Sequence, residues 1–234
     1  MANESYTVFN AMVDIVASPG KAFDGIKPHP KWLWWPLLIV IALACGVFAY
    51  YYNWVDFEWL VEETIRQIPA EDRAASEDAI RGFMSPKSSM ITTLIAIVVM
   101  TFVIYLIEAV YFHLAIKVAT GAKIGFGQWF SFAAWTGFVG IFGSLAALLT
   151  IVFADSNQIA AESLQVLSIN NLVLHAAPGD AWFRWGSSLT LVNLWMLGLM
   201  SYGYARWTGD SLLKSTIIAC LPWVLIFGIW AVMI

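Results

Sequence analysis

Glu108 is the residue best placed to do chemistry in this sequence, because it is the one acidic side chain inside an apolar run. It precedes Lys117 by nine residues, which is about 13 Å along a helix and close to the middle of a hydrocarbon core of about 30 Å. An ionised carboxylate there costs at least about 2.5 kcal/mol, so Glu108 is protonated, hydrated or paired. One interpretation is a proton or cation site. The other, which we favour, is a neutral carboxyl bonded to a neighbouring helix, with Asn193 as the candidate partner.

His113 is the next polar residue along the same run. It follows Glu108 by five residues, about 140° around an α-helix, so the two side chains do not stack. A metal site needs three or four converging ligands, and the sequence has neither a His-Glu-x-x-His motif nor paired cysteines. A Gly-x-Ser-x-Gly elbow and a phosphate-binding loop are also missing. We therefore predict no enzyme, no metal centre and no cofactor.

Two further features concern helix packing rather than chemistry. Small residues form one stripe with alternating spacings of four and three: Ala133, Gly137, Gly140, Ser144 and Ala147. In lipid, such a packing seam lets another helix approach closely. That helix belongs either to the same chain, which we favour, or to a second subunit. Pro222 lies in the middle of the last apolar run, where it is predicted to kink the helix and release the carbonyl of Ile218.

The elements that must position these residues are apolar and long. The chain is 60% hydrophobic and only 12% charged, whereas a soluble domain is about one quarter charged. Five runs are long enough to cross about 30 Å of hydrocarbon as α-helices. They cover residues 32–52, 90–118, 128–153, 187–205 and 212–234. We predict an all-α integral membrane protein, with the bundle of five transmembrane helices formed by residues 32–234.

Amphipathic helices are predicted outside the apolar runs. In the N-terminal segment 1–31, apolar residues recur at helical spacing, namely Val8, Phe9, Met12, Val13 and Val16. This segment is expected to rest in the membrane interface or to pack on its own bundle. A second amphipathic helix is expected from Phe57 to Ile68, before Pro69, and a weaker one over 71–84. Both lie on the bilayer or cap the bundle. Segment 154–186 is too apolar for a free loop and is predicted to fold back onto the outer face.

Charge distribution predicts the orientation. With the N-terminus in the cytoplasm, that side holds seven basic and four acidic residues, Glu4 among the latter, and the other side holds five basic and eleven acidic residues. Basic residues favour the cytoplasmic side, so we expect the N-terminus inside and the C-terminus outside. The formal net charge of −4 gives no basic surface for nucleic acid.

A collinear series of residues carries a family resemblance. It begins with Ser18-Pro19-Gly20-Lys21-Ala22-Phe23-Asp24-Gly25-Ile26 and Pro30-Lys31-Trp32, and it includes the Gly121 to Phe130 turn. It ends with Asn170-Asn171-Leu172, His175, Trp182, Leu194-Trp195, Gly203-Tyr204 and Thr208-Gly209. In this order the residues resemble the Yip1 domain family in its bacterial form, over nearly the whole chain from about Asp14.

The resemblance implies five membrane helices with a cytoplasmic N-terminus. Eukaryotic relatives are associated with vesicle traffic and Rab-type GTPases, but the Asp-Leu-Tyr-Gly-Pro signature of those relatives is absent here, so the GTPase role is not carried over. We expect a protein of a bacterial cytoplasmic membrane. It is expected to act through membrane lipids, other membrane proteins or self-association, as a scaffold or accessory component in membrane organisation, trafficking or transport. The alternative is a small proton-coupled carrier that uses Glu108.

Overall fold

The structure is a computed structural model that describes residues 6–68, 70–119 and 121–234. Glu4 and Pro69, which entered the predictions above, lie outside the described residues. Within the described residues the regular structure is helical, apart from one isolated bridge between Ser168 and Thr190. The all-helical fold class predicted from the sequence is therefore confirmed.

Two short helices precede the first apolar run. Helix α1 spans Val8–Ala17 and begins with a capping box, in which Thr7 and Asn10 satisfy each other's backbone amides. Helix α2 spans Pro19–Ile26, with Pro19 at its first position, where the missing amide hydrogen costs nothing. We call α1 and α2 together the N-terminal hairpin.

The long helices follow the apolar runs. They are α3 (Trp34–Trp54), α6 (Pro86–Ala119), α7 (Phe126–Thr136), α8 (Gly140–Val152) and α11 (Leu212–Met233). A 3-10 turn, Pro30–Leu33, leads into α3, and another, Gly137–Val139, joins α7 to α8. Among the described residues, four helical stretches are long and apolar enough to cross a membrane: Pro30–Trp54, Pro86–Ala119, Phe126–Val152 and Leu212–Met233. They match the first, second, third and fifth predicted runs within a few residues.

The fourth predicted run, residues 187–205, differs from the structure. Helix α9 (Ala181–Ser188) ends inside it, and α10 (Leu191–Thr208) begins only after the break. Helix α10 is not one of the four stretches that are long and apolar enough. Many of its residues are shielded within the protein, among them Ser201 and Tyr204, so this helix needs less apolar character than one surrounded by lipid. The fifth crossing stays a prediction.

The chain packs as two units, and each boundary between them falls inside a helix. The first unit comprises Met1–Ile41, Met100–Gly140 and Asn193–Ile229, and the second comprises Ala42–Val99, Ile141–Val192 and Trp230–Ile234. In the first unit, Leu37 of α3, Tyr105 of α6 and Ala133 of α7 share a buried cluster. In the second unit, the buried cluster joins Tyr51 of α3 to Ile151 of α8.

Helices α4 (Phe57–Arg66) and α5 (Ala70–Phe83) belong to the second unit. Helix α4 buries Leu60, Val61 and Ile65, and Leu60 packs in the same cluster as Tyr51 and Ile151. Helix α4 therefore packs on the ends of α3 and α8. Helix α5 is mostly exposed.

Segment 154–186 folds back in part. Leu164 is buried in the cluster with Tyr51 and Leu60, as expected for a segment too apolar for a free loop. In contrast, Leu172, Val173 and Leu174 are exposed. The first part of the segment therefore packs on α3 and α4, whereas the turn that follows it is exposed, and placement on the outer face of the membrane stays a prediction.

Candidate functional site

The Glu108 carboxyl lies on the long helix α6, within the first unit. Its Oε2 atom is fully shielded and has no hydrogen-bond partner among the described residues. A shielded polar atom without a partner is rare in native proteins and marks a place where a proton, ion or ligand contact is worth seeking. Asn193, on α10, is half-buried and has interactions of its own. No bond joins it to Glu108 Oε2, so that predicted partnership has no support at this atom.

One helical turn before Glu108, Tyr105 packs against an irregular point in a neighbouring helix. Tyr105 is buried, and its hydroxyl end lies directly over Gly137, at the start of the 3-10 turn between α7 and α8. A Cβ atom at position 137 would overlap the Tyr105 ring. Gly137 is therefore required for the close approach of α6 to this turn.

One turn after Glu108, Tyr111 contacts a second irregular point. Its hydroxyl donates a hydrogen bond of 2.6 Å to the Ile218 carbonyl. Ile218 is four residues before Pro222, which lies inside α11 and has no amide hydrogen to offer that carbonyl. The bend predicted at Pro222 stays a prediction, but the carbonyl that Pro222 releases has a partner.

Glu108 is therefore placed between the 3-10 turn that separates α7 from α8 and the backbone carbonyl that Pro222 releases within α11. On an α-helix, positions 105, 108 and 111 advance round the surface in equal steps of about 300°, so Glu108 points between the directions of Tyr105 and Tyr111. Tyr105 faces the 3-10 turn at Gly137, and Tyr111 faces the carbonyl released by Pro222. Irregular backbone within a membrane is tolerated where protein buries it or a cavity lies beside it, and such places are typical of ion and substrate sites.

His113 does not join Glu108. Its ring packs edge-on against Phe126, with 6.1 Å between the ring centroids, and its Nδ1 atom is shielded without a partner. Across the described part of the chain, no group of three or more His, Cys, Asp or Glu side chains is placed to hold a metal ion.

The packing seam has neighbours within each unit. In the first unit, Ala133 shares the buried cluster of Tyr105, Gly137 lies under the Tyr105 ring, and Gly140 approaches Val40 of α3. In the second unit, Ala147 packs with Val47 of α3, and Ser144 is half-buried. Four of the five residues of this stripe thus have neighbours on helices of the same chain, and the role of the stripe as a packing seam stays a prediction.

An aromatic cluster in the first unit was not predicted from the sequence. It joins the N-terminal hairpin to α6, α7 and α10 through ring contacts with centroids 5.1 to 6.4 Å apart among Phe23, Phe112, Trp129, Phe132, Tyr204 and Trp207. Phe23 enters this cluster beside Gly203, where a Cβ atom would overlap the rings of Phe23 and Phe132. The sequence offered one signal for this contact. Phe23 and Gly203-Tyr204 both belong to the series of residues that carries the family resemblance.

Polar contacts clamp the N-terminal hairpin to the end of α10. Arg206 donates two hydrogen bonds to the Asp24 carboxylate, of 2.9 and 2.6 Å, and this bond pattern holds the pKa of Asp24 below its usual range. Trp207 Nε1 donates to the Phe23 carbonyl at 2.8 Å, and Lys27 Nζ donates to the Trp207 carbonyl at 2.8 Å. We call these contacts the α10 clamp.

The second unit contains a cavity of about 610 Å³, lined by Trp59 and Glu63 of α4 and by residues of segment 154–186 that include Glu162 and His175. His175 has a left-handed backbone, with φ of 51°. Asn170 holds that turn, because its side chain both donates to and accepts from the backbone of Ala176. A turn held by hydrogen bonds thus forms part of the cavity wall. Among the described residues, no buried polar atom that lacks a hydrogen-bond partner lines the cavity, so no particular ligand is indicated.

These features define a helical, multi-pass membrane protein, with at least four helices suited to crossing the bilayer. The Yip1 domain matches residues 13–233, and the chain therefore belongs to the Yip1 domain family, as the resemblance implied. Members of this family are in general non-enzymatic membrane proteins. No curated protein and no solved structure gives a significant match.

Proposed function

We propose that this Yip1-domain protein is a non-enzymatic scaffold or accessory component that acts in membrane organisation, trafficking or transport through protein or lipid contacts. The N-terminal hairpin carries this proposal. It is fixed to α10 by the Asp24–Arg206 ion pair and by Trp207, while Phe9 and Val13 remain exposed on its surface. A rigid element with an exposed apolar surface is suited to holding a partner, because little order is lost when the partner binds.

The proposed setting is a bacterial cytoplasmic membrane that the chain crosses five times, with a cytoplasmic N-terminus and the C-terminus outside. The distribution of Lys and Arg supports this orientation. Helix α10 has 18 residues, about 27 Å of helix, which is close to the thickness of the hydrocarbon core. The four longer apolar helices supply the other crossings.

The scaffold proposal is tested by extracting the full chain gently and identifying the lipids and proteins that co-purify. We compare Arg206→Ala, which removes one side of the α10 clamp, with Arg66→Ala, which removes the ion pair to Glu63 on α4. We expect a defined partner with the unchanged chain and with Arg66→Ala, and a reduced yield with Arg206→Ala. Equal yields of the co-purified partner from the unchanged chain and the two variants would contradict a role for the N-terminal hairpin.

A proton-coupled carrier is the second candidate, and the shielded Glu108 Oε2 atom favours it. This carboxyl faces the region between the 3-10 turn at Gly137 and the carbonyl released by Pro222, and transporters place coupling-ion sites beside irregular helices. A carrier of this kind would need Glu108 to gain and lose its proton during transport.

The two candidates differ in proton flux. The full chain is reconstituted in liposomes that contain a pH-sensitive dye, and an imposed pH gradient is followed over time. Glu108→Gln is compared with Glu58→Gln, because Glu58 is an exposed acid on α4. A carrier gives flux above that of empty liposomes, lost in Glu108→Gln and retained in Glu58→Gln. Flux equal to that of empty liposomes for all three proteins would contradict proton movement through Glu108 and would favour the scaffold.

A further inference from the structure

Helix α1 has two apolar faces, and the described residues cover only one of them. Ala11 and Ile15 are fully buried. Phe9, Val13 and Val16 are exposed by 72%, 51% and 38%, and at spacings of four and three they share a face about 145° from the buried one. We call them the α1 stripe. No described part of the chain covers this face.

The start of α1 lies beside aromatic residues that mark a membrane boundary. Tyr6, two residues before α1, stacks on Trp32 with 6.5 Å between ring centroids. Trp32 lies in the 3-10 turn that leads into α3, and it is followed by Trp34 and Trp35, which are exposed by 50% and 56%. Tryptophans at the end of a membrane-spanning helix occupy the headgroup level of the bilayer. The contact between Tyr6 and Trp32 therefore brings the start of α1 to that level.

The polar groups of α1 do not oppose contact between the stripe and lipid. Asp14 is the single charged residue of the helix, and its carboxylate accepts a hydrogen bond of 3.2 Å from the Tyr6 hydroxyl. Asp14 lies about 100° round the helix from Val13. The exposed residues Asn10 and Ala17 lie on the remaining side, about 40 to 60° from Val13.

The orientation of α1 is also fixed. Helix α1 packs on α2, and α2 is held by the α10 clamp and by the aromatic cluster around Phe23. Gly25 of α2 lies directly under the Tyr6 ring, where a Cβ atom would overlap it. The stripe is therefore presented in one direction, without the ordering cost that a flexible segment would incur on binding.

We propose that α1 is an interfacial helix, with the α1 stripe inserted at the boundary between headgroups and acyl chains of the bilayer that the protein crosses. The inference deepens the proposed function, because it assigns the hairpin's exposed apolar surface to lipid. A second copy of the chain is a poorer occupant. Stable protein interfaces bury at least about 600 Å² on each partner, and three side chains, of which one is aromatic, supply much less.

The test measures the depth of single labels in the full chain, reconstituted in lipid nanodiscs with Cys45 and Cys220 replaced by serine. Nitroxide labels are placed at positions 9, 13 and 16, and matched controls at the exposed positions 10 and 17. Collision rates with oxygen, which concentrates in lipid, are compared with those of a water-soluble nickel complex. We expect oxygen collisions to dominate at 9, 13 and 16, and nickel collisions to dominate at 10 and 17.

Each other result overturns the proposal. Equal nickel access at positions 10 and 13 would show that the stripe lies in water. Protection of position 13 from both reagents, with dipolar broadening between labelled chains, would show that a second copy covers it. The readout is independent of co-purification and flux, so the scaffold proposal can fail while the interfacial helix stands, and the reverse also holds.

Discussion

Tyr111 and Ile218 lie on different helices and 107 residues apart in sequence, yet the Tyr111 hydroxyl donates a 2.6 Å hydrogen bond to the Ile218 carbonyl. That carbonyl has no amide partner at position 222, because Pro222 lacks the hydrogen. A released carbonyl in a membrane helix is costly unless another group satisfies it. Tyr111 therefore satisfies the carbonyl that Pro222 leaves without an amide partner in α11.

The first prediction concerns this hydrogen bond. Tyr111→Phe removes the donor and leaves the ring in place, so we expect the free energy of unfolding to fall by about 0.6 to 2 kcal/mol, the range for polar contacts between membrane helices. The measurement is equilibrium unfolding in mixed detergent micelles.

Pro222→Ala provides the control for Tyr111→Phe. Alanine restores an amide hydrogen four residues after Ile218, so in that background Tyr111→Phe should cost much less. An unchanged cost of Tyr111→Phe in the Pro222→Ala background would show that the ring, and not the released carbonyl, explains the effect.

The second prediction concerns the aromatic cluster. Gly203→Ala places a methyl group against the rings of Phe23 and Phe132, and overpacking of this kind costs about 1 to 3 kcal/mol. Gly198→Ala on the same helix meets no atom within 4 Å, and it should be neutral or stabilise α10 by about 0.5 to 1 kcal/mol. Thermal unfolding in detergent measures the stability change caused by each of the two substitutions. A similar melting temperature for the two variants would mean that α10 moves freely to accept the methyl group.

The third prediction is a pH dependence of the α10 clamp. The hydrogen bonds from Arg206 lower the pKa of Asp24 in the folded protein, whereas the unfolded chain has the ordinary value of about 3.9. The ion pair is therefore fully present above about pH 4, and its contribution is lost as the pH falls through the lower pKa of the folded state.

Hydrogen exchange of residues 8–26 measures this loss. Amide exchange rates in the N-terminal hairpin are corrected for the intrinsic pH dependence of exchange. We expect the corrected rates to rise as the pH falls below about 4. Asp24→Asn, which keeps the shape of the side chain and removes its charge, should give fast exchange with no such step. A step of the same size in Asp24→Asn would assign the pH dependence to another group.

The sequence predicted the features that depend on local geometry. Release of the Ile218 carbonyl follows from the position of Pro222 alone, and the four helices suited to crossing the membrane follow from uninterrupted apolar runs. The partner of that carbonyl could not be predicted, because Tyr111 is distant in sequence and many tyrosines occupy similar runs. The choice of partner depends on how the helices pack.

The sequence predictions that differ from the structure also depend on how the helices pack. Gly137 and Gly140 were interpreted as a packing seam, and they also accompany a 3-10 turn that interrupts the third run. The fourth run was predicted to be continuous from residue 187, but Leu189 has an extended backbone that separates α9 from α10. The aromatic cluster was missed, because in an apolar run a ring that faces protein has the same sequence signal as one that faces lipid.

The fourth prediction decides between four and five crossings. Single cysteines at positions 177 and 211, both exposed, flank α9 and α10 in a background without Cys45 and Cys220. If α10 crosses the bilayer, a membrane-impermeant thiol reagent added to sealed vesicles labels one position and reaches the other only after the vesicles are opened. Labelling of both positions from one side would show that α10 does not cross. In that case its 18 residues are held inside the protein or at its surface, and the two termini share one side of the membrane.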